Sequence, residues 1–233
     1  MSPLPPRTRI KICGLTREAD LDAAVEAGAD AVGFVLYPKS PRAVAPERAA
    51  VLAARLPPFV TPVLLFVDAQ PAEAIAALAR VPGAIAQFHG DETPADCIAA
   101  SENGRFRFMR AARIPLGEAG ARFDLVKYAS DFSNAQAILL DAHVDGYGGG
   151  GKAFDWSLLP PAVDAHLVLS GGLTPANVGD GIRTLRTRCK TLSVDVSSGV
   201  EIDGPGNKGL KDAGKIRQFV AAVRAADASS FSS

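Results

Sequence analysis

Residues 9–36 read RIKICGLTREADLDAAVEAGADAVGFVL, and this stretch contains the repeating unit of the whole chain. Two short runs rich in apolar and β-branched residues, Arg9 to Cys13 and Ala31 to Leu36, flank a segment with a helical pattern, Glu18 to Ala27. A strand, a helix and a second strand at this spacing form a βαβ unit, in which the two strands lie parallel in one sheet. The stretch therefore predicts an α/β fold built on a parallel sheet.

The same alternation continues through the 233 residues and predicts eight strands. Neither a low-complexity linker nor a change of composition divides the chain. We therefore expect a single (β/α)8 TIM barrel domain, residues 1–233, with an ordered core at about 9–224 and short frayed termini. The other predicted strands are Pro62 to Val67, Ala84 to His89, Arg107 to Ala111, Ala137 to Asp141, His166 to Ser170 and Thr191 to Val196, and the other helical segments include Pro46 to Leu56, Ala72 to Ala79 and Ala119 to Tyr128.

An open, doubly wound sheet is the alternative architecture. Dinucleotide-binding sheets of that type carry a GxGxxG fingerprint in the turn after the first strand. This chain has Cys13-Gly14-Leu15-Thr16 at that place, which does not fit the fingerprint. The barrel is therefore favoured.

Composition limits the partners that the protein can have. The 25 basic and 25 acidic side chains balance to a formal net charge of +0, without the excess of positive charge typical of proteins that bind nucleic acid or membrane surfaces. The cysteines, Cys13, Cys97 and Cys189, form no CxxC or Cys/His cluster, which argues against disulfides and structural zinc. The proline-rich start, Met1 to Thr8, does not resemble a signal peptide. We expect a cytoplasmic protein that binds a small molecule.

In a barrel, the active site lies at the carboxyl ends of the strands, which directs attention to Cys13. Alternation along the first strand places Lys11 and Cys13 on one face, and Ile10 and Ile12 on the other. If the isoleucines face the helices, Cys13 faces the barrel interior beside the Lys11 ammonium. That charge favours the thiolate and predicts a thiol pKa below its reference of about 8.5. Alternatively, Cys13 is an inert buried thiol.

A carboxylate at the end of the sixth predicted strand is the second candidate for catalysis. Asp141 follows the apolar run Ile138 to Leu140, and at the active end of a barrel such a position favours a chemical role over simple capping of the loop. Asp141 and Cys13 together could supply the proton donor and the proton acceptor that general acid–base catalysis requires.

Two turns that contain glycine follow the last two strands. They are Ser170-Gly171-Gly172 and Ser197-Ser198-Gly199. Barrels commonly bind phosphate at this place through exposed backbone N–H groups, and glycine lets the anion approach the backbone closely. The alternative is that both are ordinary tight turns, but their position favours a phosphate site.

Two further side chains are predicted to bind substrate. Arg42, in the segment Ser40-Pro41-Arg42, could clamp a carboxylate or could be a solvated arginine of the loop. His89 could bind substrate or simply form a hydrogen bond at the end of its strand. The glycine-rich run Gly148 to Gly151 suits a mobile loop over the site as well as a plain linker.

The segment Lys11 to Thr16, KICGLT, resembles the opening motif of the phosphoribosylanthranilate isomerase family almost letter for letter. The resemblance extends over about residues 9–220, with further motifs in family order. These are Gly33-Phe34 with Ser40-Pro41-Arg42, Gln87-Phe88-His89-Gly90-Asp91-Glu92, Leu140-Asp141-Ala142, Gly148-Gly149 with Gly151-Lys152 and Phe154-Asp155-Trp156, Gly171 to Val178, and Asp195 to Glu201. Each motif is modestly specific, but the ordered set is very specific.

The resemblance implies an enzyme of tryptophan biosynthesis, an aldose–ketose isomerase that works without metal or organic cofactor. It would convert N-(5-phosphoribosyl)anthranilate into 1-(o-carboxyphenylamino)-1-deoxyribulose 5-phosphate by an Amadori rearrangement. Carried over by position, Cys13 would be the general base, Asp141 the general acid, and Arg42 the contact to the anthranilate moiety. The backbone around Gly171-Gly172 and Ser197-Ser198-Gly199 would hold the phosphate. No nucleic-acid or membrane partner is implied, and the chain would be a monomer or a homodimer.

The chain departs from the family pattern at two places. Gly150 stands where family members usually have threonine, and the usual Pro-Gly-x-Lys-Asp is lengthened to the segment Pro205 to Asp212, which looks like a short insertion at Asn207 to Leu210. Both departures affect local loop geometry more than chemistry.

Three other readings compete with the resemblance. The analogous isomerase of histidine biosynthesis uses two aspartates, and Cys13 argues against it. Indole-glycerol-phosphate synthase would need an amino-terminal extension and a set of lysines that this chain does not have in the expected positions. A phosphometabolite-binding barrel without catalytic activity would have no need of Cys13 and Asp141 together.

Overall fold

Eight parallel strands close into a barrel in the computed structural model of the chain, which describes residues 7–142 and 156–229. Each strand pairs with the next one in the sequence, and β8 pairs with β1 to complete the ring. The predicted (β/α)8 TIM barrel is therefore confirmed, and the open sheet is wrong. The glycine-rich run Gly148 to Gly151 lies outside the described residues.

The strands and helices alternate along the chain, and short 3-10 turns lie between some of them. The strands are β1 Arg9–Cys13, β2 Ala31–Val35, β3 Thr61–Phe66, β4 Ile85–Phe88, β5 Phe108–Ile114, β6 Ile138–Ala142, β7 Val163–Leu169 and β8 Cys189–Val196. The helices are α1 Glu18–Ala27, α2 Pro46–Ala53, α3 Pro71–Arg80, α4 Pro94–Ala100, α5 Glu118–Ala121, α6 Leu125–Asp131, α7 Val178–Leu185 and α8 Ala213–Ser229. The 3-10 turns are Trp156–Leu158, Ser198–Val200 and Pro205–Asn207.

The main difference from the predicted elements concerns the segment Ala119 to Tyr128. It forms two short helices, α5 and α6, because Asp124 begins a new helix by accepting a hydrogen bond from the Lys127 N–H at 2.9 Å. At the carboxyl end, α8 continues to Ser229. Within the described residues, we find no helix of the length and apolarity that crossing a lipid bilayer requires.

The two faces of β1 differ as the alternation predicts. Ile10 and Ile12 are fully buried in the main core, which they share with Leu21 of α1 and Phe219 of α8. Burial of such a side chain is worth roughly 1.5–3 kcal/mol, so this face anchors the strand to the helices. Lys11 and Cys13 consequently face the barrel interior.

The parallel register places the ends of the strands at one rim of the barrel. Cys13 is the last residue of β1 and pairs with Gly33 of β2. Asp141 lies near the end of β6, and the turns at Gly171 and Ser197 follow β7 and β8 directly. All of these residues therefore lie at the carboxyl-terminal face.

Candidate active site

A pocket at the carboxyl-terminal face brings the predicted site residues together. It contains about 690 Å³ of space, including its open mouth, which falls in the usual range of roughly 300–1,000 Å³ for small-molecule sites. Its polar lining residues are Cys13, Tyr37, Ser40, Arg42, Gln87, His89, Asp141, Ser170, Asp195, Ser197 and Ser198, together with Gly171 and Gly172.

Gly199 is the predicted site residue that does not line this pocket. A Cβ atom at this position would lie 1.9 Å from the Leu173 carbonyl oxygen. Glycine is therefore needed so that the turn after β8 can pack directly against the turn after β7. The absence of a side chain at Gly199 therefore keeps the two turns in close contact.

The lining is apolar on one side and polar on the other. Val35, Tyr37, Leu65 and Val67, from β2, β3 and the loops that follow them, surround the Cys13 side chain in one hydrophobic cluster. The turns after β7 and β8 form the polar side. The pocket can therefore accept a molecule with an aromatic part and an anionic part.

Lys11 shares a confined space with Cys13, which lines the pocket. A Cβ atom at Gly33 would lie 2.7 Å from Cys13 Sγ and 3.0 Å from Lys11 Nζ, so only glycine leaves room for both side chains. Lys11 Nζ donates a hydrogen bond to Asp195 Oδ1 at 2.9 Å, and both residues are buried. Burial opposes the charge of Lys11, but Asp195 and Cys13 outweigh it and raise the lysine pKa to about 12. Lys11 therefore remains an ammonium at neutral pH.

The pKa of the Cys13 thiol is raised above its ordinary value, chiefly by burial. Lys11 lowers this pKa as expected, but the Asp195 carboxylate raises it further. The expected net lowering of the Cys13 pKa is therefore wrong, because Asp195 and burial together outweigh the ammonium. In the unliganded protein, Cys13 is a neutral thiol at neutral pH.

Asp141 is held between a histidine and a glycine turn. His89 Nε2 lies 2.9 Å from Asp141 Oδ2, and His89 Nδ1 lies 3.0 Å from Gln87 Nε2. On the other side, a Cβ atom at Gly171 would lie 2.6 Å from Asp141 Oδ1. The carboxyl group is thereby fixed in orientation, and His89 is its hydrogen-bond partner in the structure.

Arg42 belongs to a buried cluster of three charges. Its Nε donates to Glu201 Oε1 at 2.6 Å and its Nη2 donates to Glu201 Oε2 at 3.0 Å, a bidentate arrangement. Lys211 Nζ also donates to Glu201 Oε1, at 3.0 Å. Although burial alone would raise the Glu201 pKa, Arg42 and Lys211 hold it below the usual range. Arg42 is thus a rigidly held cation and not a solvated arginine of the loop.

Lys211 connects this cluster to the turn after β8. Its Nζ donates to the Ser197 carbonyl oxygen at 3.0 Å and contacts Ser197 Oγ at 3.2 Å. Residues 207–210 turn back before Lys211, because Leu210 N donates to the Asn207 carbonyl oxygen and Glu201 forms a β-bridge with Lys211. The predicted insertion therefore leaves this lysine within reach of the site.

Both glycine-containing turns present backbone suited to an anion. Gly171 and Gly172 have φ of +73° and +66°, in the left-handed region that favours glycine. Among the described residues, no hydrogen bond is donated by the N–H groups of Gly172, Ser198 or Gly199. Free N–H groups on adjacent turns form a concave donor surface for an anion.

Sequence reasoning missed several residues that organise the site. Asp195 and Glu201 lie within the last matched motif, but nothing in the order of residues identifies them as partners of Lys11 and Arg42. Gln87 lies in a matched motif and Lys211 in the lengthened segment Pro205 to Asp212, but neither has a predicted role, because a buried amide and a buried ammonium give no periodic signal. The alternation along β1 was the one usable sign, since it placed Lys11 in the interior.

Comparisons with known proteins agree on one family. The family model described as N-(5′-phosphoribosyl)anthranilate (PRA) isomerase matches residues 10–222. The N-(5′-phosphoribosyl)anthranilate isomerase of Methylibium petroleiphilum is 61% identical over 222 residues, which cover 95% of this chain and 96% of that protein.

Solved structures give the same result. The phosphoribosyl anthranilate isomerase of Thermotoga maritima superimposes with a TM-score of 0.79 at 38% identity, covering 94% of this chain and 99% of that one. A phosphoribosyl anthranilate isomerase in complex with reduced 1-(o-carboxyphenylamino)-1-deoxyribulose 5-phosphate has a TM-score of 0.72 at 34% identity, with the same coverage of 94% and 99%. This chain belongs to the N-(5′-phosphoribosyl)anthranilate isomerase family.

Proposed function

We propose that this chain catalyses the Amadori rearrangement of N-(5-phosphoribosyl)anthranilate to 1-(o-carboxyphenylamino)-1-deoxyribulose 5-phosphate in tryptophan biosynthesis. The observation that carries the proposal is the presence of Cys13 and the His89-bound Asp141 in one pocket, beside the two glycine-containing turns. A phosphate-binding barrel without catalytic activity would not require this pairing.

The reaction needs one proton donor and one proton acceptor. Protonated Asp141 gives its proton to the furanose ring oxygen while the bond from that oxygen to C1 breaks, and the amine lone pair forms an iminium at C1. Cys13 acts in its thiolate form, which arises when the thiol loses its proton to solvent and which the neighbouring Lys11 ammonium favours. The thiolate then removes the proton from C2, whose acidity the iminium raises. The resulting enolamine tautomerises to the C2 ketone, so C1 is reduced as C2 is oxidised and no external reductant is needed. General acid–base catalysis of this type typically raises the reaction rate by roughly 10²- to 10⁴-fold per catalytic group.

The remaining predicted residues bind the two ends of the substrate. Glu201 uses Nε and Nη2 of Arg42, so Nη1 is the part of the guanidinium available for the anthranilate carboxylate. The apolar cluster around Cys13 suits the aromatic ring. The N–H groups of the turns at Gly171-Gly172 and Ser197-Ser198-Gly199 would bind the phosphate, and His89 would contact substrate at the Asp141 side.

We also propose the localisation, the cofactor requirement and the oligomeric state of the enzyme. The chain is a single-domain cytoplasmic enzyme that needs no cofactor or metal and binds a small-molecule phosphoribosyl substrate, as a monomer or a homodimer. The balanced charge of +0 and the acid–base pair in the pocket support this description. Light scattering of the purified protein distinguishes the monomer from the dimer.

The direct test uses freshly generated phosphoribosylanthranilate, whose fluorescence is lost on isomerisation. We expect the purified protein to accelerate this loss and the anthranilate-free ribonucleotide substrate of histidine biosynthesis to react far more slowly. A folded protein that binds the reduced product analogue but leaves the fluorescence unchanged would indicate a binding barrel. Preference for the histidine-pathway substrate would indicate the other isomerase.

Alkylation of Cys13 should depend steeply on pH. Because the thiolate is the reactive form and the Cys13 pKa is raised, inactivation by iodoacetamide should be slow at neutral pH and should rise toward alkaline pH. The reduced product analogue, when bound in the pocket, should protect Cys13 from alkylation. Burial also raises the pKa of Cys97, to about 12, and that of Cys189, so the rate is measured in a Cys97→Ala, Cys189→Ala background. Fast, pH-independent inactivation in that background contradicts the proposed state of Cys13.

Replacement of Gly171 by alanine should misplace the general acid. The new Cβ would meet Asp141 Oδ1 and the Ala142 backbone nitrogen, both at 2.6 Å, so the carboxyl group must shift. A shift of about 1 Å can cost on the order of 10²-fold, and we expect kcat to fall by at least roughly tenfold.

Gly28→Ala is the matched control for this variant. Gly28 also has a positive φ, +92°, but has no atom within 4 Å of its Cβ position and ends α1. Both variants carry left-handed strain of roughly 1–2 kcal/mol, so they differ in the contacts that the new Cβ makes with Asp141 and Ala142 at Gly171 and does not make at Gly28. Equal kcat values in the two variants would show that Gly171 does not position the acid.

A further inference from the structure

Gln87 is a buried amide that the proposed mechanism does not use. It lies on β4 with its side chain fully buried, and its neighbours in register are Leu65 on β3 and Met109 on β5. Its Nε2 contacts His89 Nδ1 at 3.0 Å, while within the described part of the chain its Oε1 has no hydrogen-bond partner. A buried unsatisfied carbonyl typically costs about 1–3 kcal/mol, whereas an apolar side chain at this position would avoid that cost.

The contact between Gln87 and His89 determines where the imidazole carries its proton. The amide nitrogen of Gln87 has hydrogens and no lone pair for bonding, so it donates and His89 Nδ1 accepts. A neutral imidazole that accepts at Nδ1 carries its proton on Nε2. His89 Nε2 then donates to Asp141 Oδ2 at 2.9 Å.

This donor distinguishes the two oxygens of Asp141. Oδ2 accepts the hydrogen bond from His89, so the transferable proton resides on Oδ1, the oxygen that faces the Gly171 turn. Once that proton has moved to the substrate, the Nε2–H of His89 stabilises the carboxylate that remains. We propose that Gln87 is a positioning residue that fixes His89 in its Nε2-protonated tautomer and thereby assigns proton delivery to Oδ1 of Asp141. This inference rests on the proposed function only in taking Asp141 as the acid.

The test combines a spectroscopic readout with kinetics. The chain contains three histidines, His89, His143 and His166, so the imidazole nitrogen-15 signals of His89 can be assigned by their loss in a His89→Gln variant. In unliganded wild-type protein we expect a protonated Nε2 and an unprotonated Nδ1 for His89. Gln87→Met, which keeps the size of the side chain but cannot donate, should give a mixture of tautomers.

Substitution of Gln87 should change kcat and leave KM nearly unchanged. We expect Gln87→Met to lower kcat by roughly tenfold or more and to change KM by less than about twofold, because the acid is affected and the binding groups are not. Gln87→Glu should lower kcat further. A carboxylate at this position accepts a hydrogen bond from His89 Nδ1, so the imidazole proton moves to Nδ1 and Nε2 no longer donates to Asp141. If Gln87→Met fails to fold, Gln87→Leu is used in its place.

Met109→Leu is the control for a purely structural role. It changes packing beside Gln87 on the neighbouring strand, but the hydrogen bonds of the network join only Gln87, His89 and Asp141, so it should retain the tautomer and kcat. A proton on Nδ1 in the wild-type protein, or an unchanged tautomer and kcat in Gln87→Met, overturns the inference. If Gln87→Met gives the mixture of tautomers but the wild-type protein never isomerises phosphoribosylanthranilate, the tautomer assignment is supported and the proposed function is overturned instead.

Discussion

The Cys13→Ser variant is expected to lose nearly all isomerase activity, with kcat reduced by at least roughly 10²- to 10⁴-fold. Serine is close to cysteine in shape, and Cys13 belongs to a small hydrophobic cluster at the pocket and not to the main core, so the fold should be retained. A hydroxyl group remains protonated throughout the working pH range and cannot act as the base. The loss of fluorescence gives kcat, and thermal unfolding of the same samples gives stability.

Cys97→Ser is the matched control for the loss of the thiol. Cys97 is also fully buried, but it lies on α4 in the main core and does not line the pocket. The same exchange of sulfur for oxygen should therefore reduce stability there without changing kcat. If Cys13→Ser is fully active, Cys13 is not the base and the two-aspartate reaction must be reconsidered.

The Asp141→Asn variant is expected to lose at least roughly 10²-fold in kcat while it still binds the reduced product analogue. The amide oxygen of asparagine can accept the hydrogen bond from His89 Nε2 that Asp141 Oδ2 accepts at 2.9 Å, so the pocket keeps its shape. The amide has no proton that it can transfer to the ring oxygen. Calorimetric titration with the analogue separates binding from turnover.

Asp30→Asn is the matched control for this substitution. The two aspartate side chains are similarly exposed, 17% for Asp30 and 16% for Asp141. Asp30, however, caps the start of β1 by accepting from the Ile10 N–H, at the opposite end of the barrel. We expect this variant to keep its kcat. Near-normal turnover of Asp141→Asn would remove Asp141 from the mechanism, whereas loss of analogue binding would assign it a structural role.

Local patterns in the sequence were sufficient for the barrel and for the principal candidates. The alternation along β1 and the helical pattern from Glu18 to Ala27 depend only on residues a few positions apart, and both elements have the predicted bounds. Since parallel strands end on one face, the position of Cys13 and Asp141 at strand ends was enough to predict that they line a common pocket.

The local pattern failed where a single capping interaction decided the structure. The segment Ala119 to Tyr128 is apolar and helical in character, yet it forms two helices because Asp124 caps the second one. Periodicity averages over many residues and is insensitive to one hydrogen bond of this type. The predicted boundaries were therefore least accurate there.

Only the tertiary structure could identify the partners of the site residues. Lys11 pairs with Asp195 across 184 positions, Arg42 pairs with Glu201 across 159, and His89 pairs with Asp141 across 52. Closure of the ring between β8 and β1 creates the first of these contacts, and the balance of burial against charge that raises the Cys13 pKa arises from the same closure. Periodicity is a property of neighbouring residues, whereas hydrogen-bond partners and electrostatic environment depend on residues that only the closed barrel brings together.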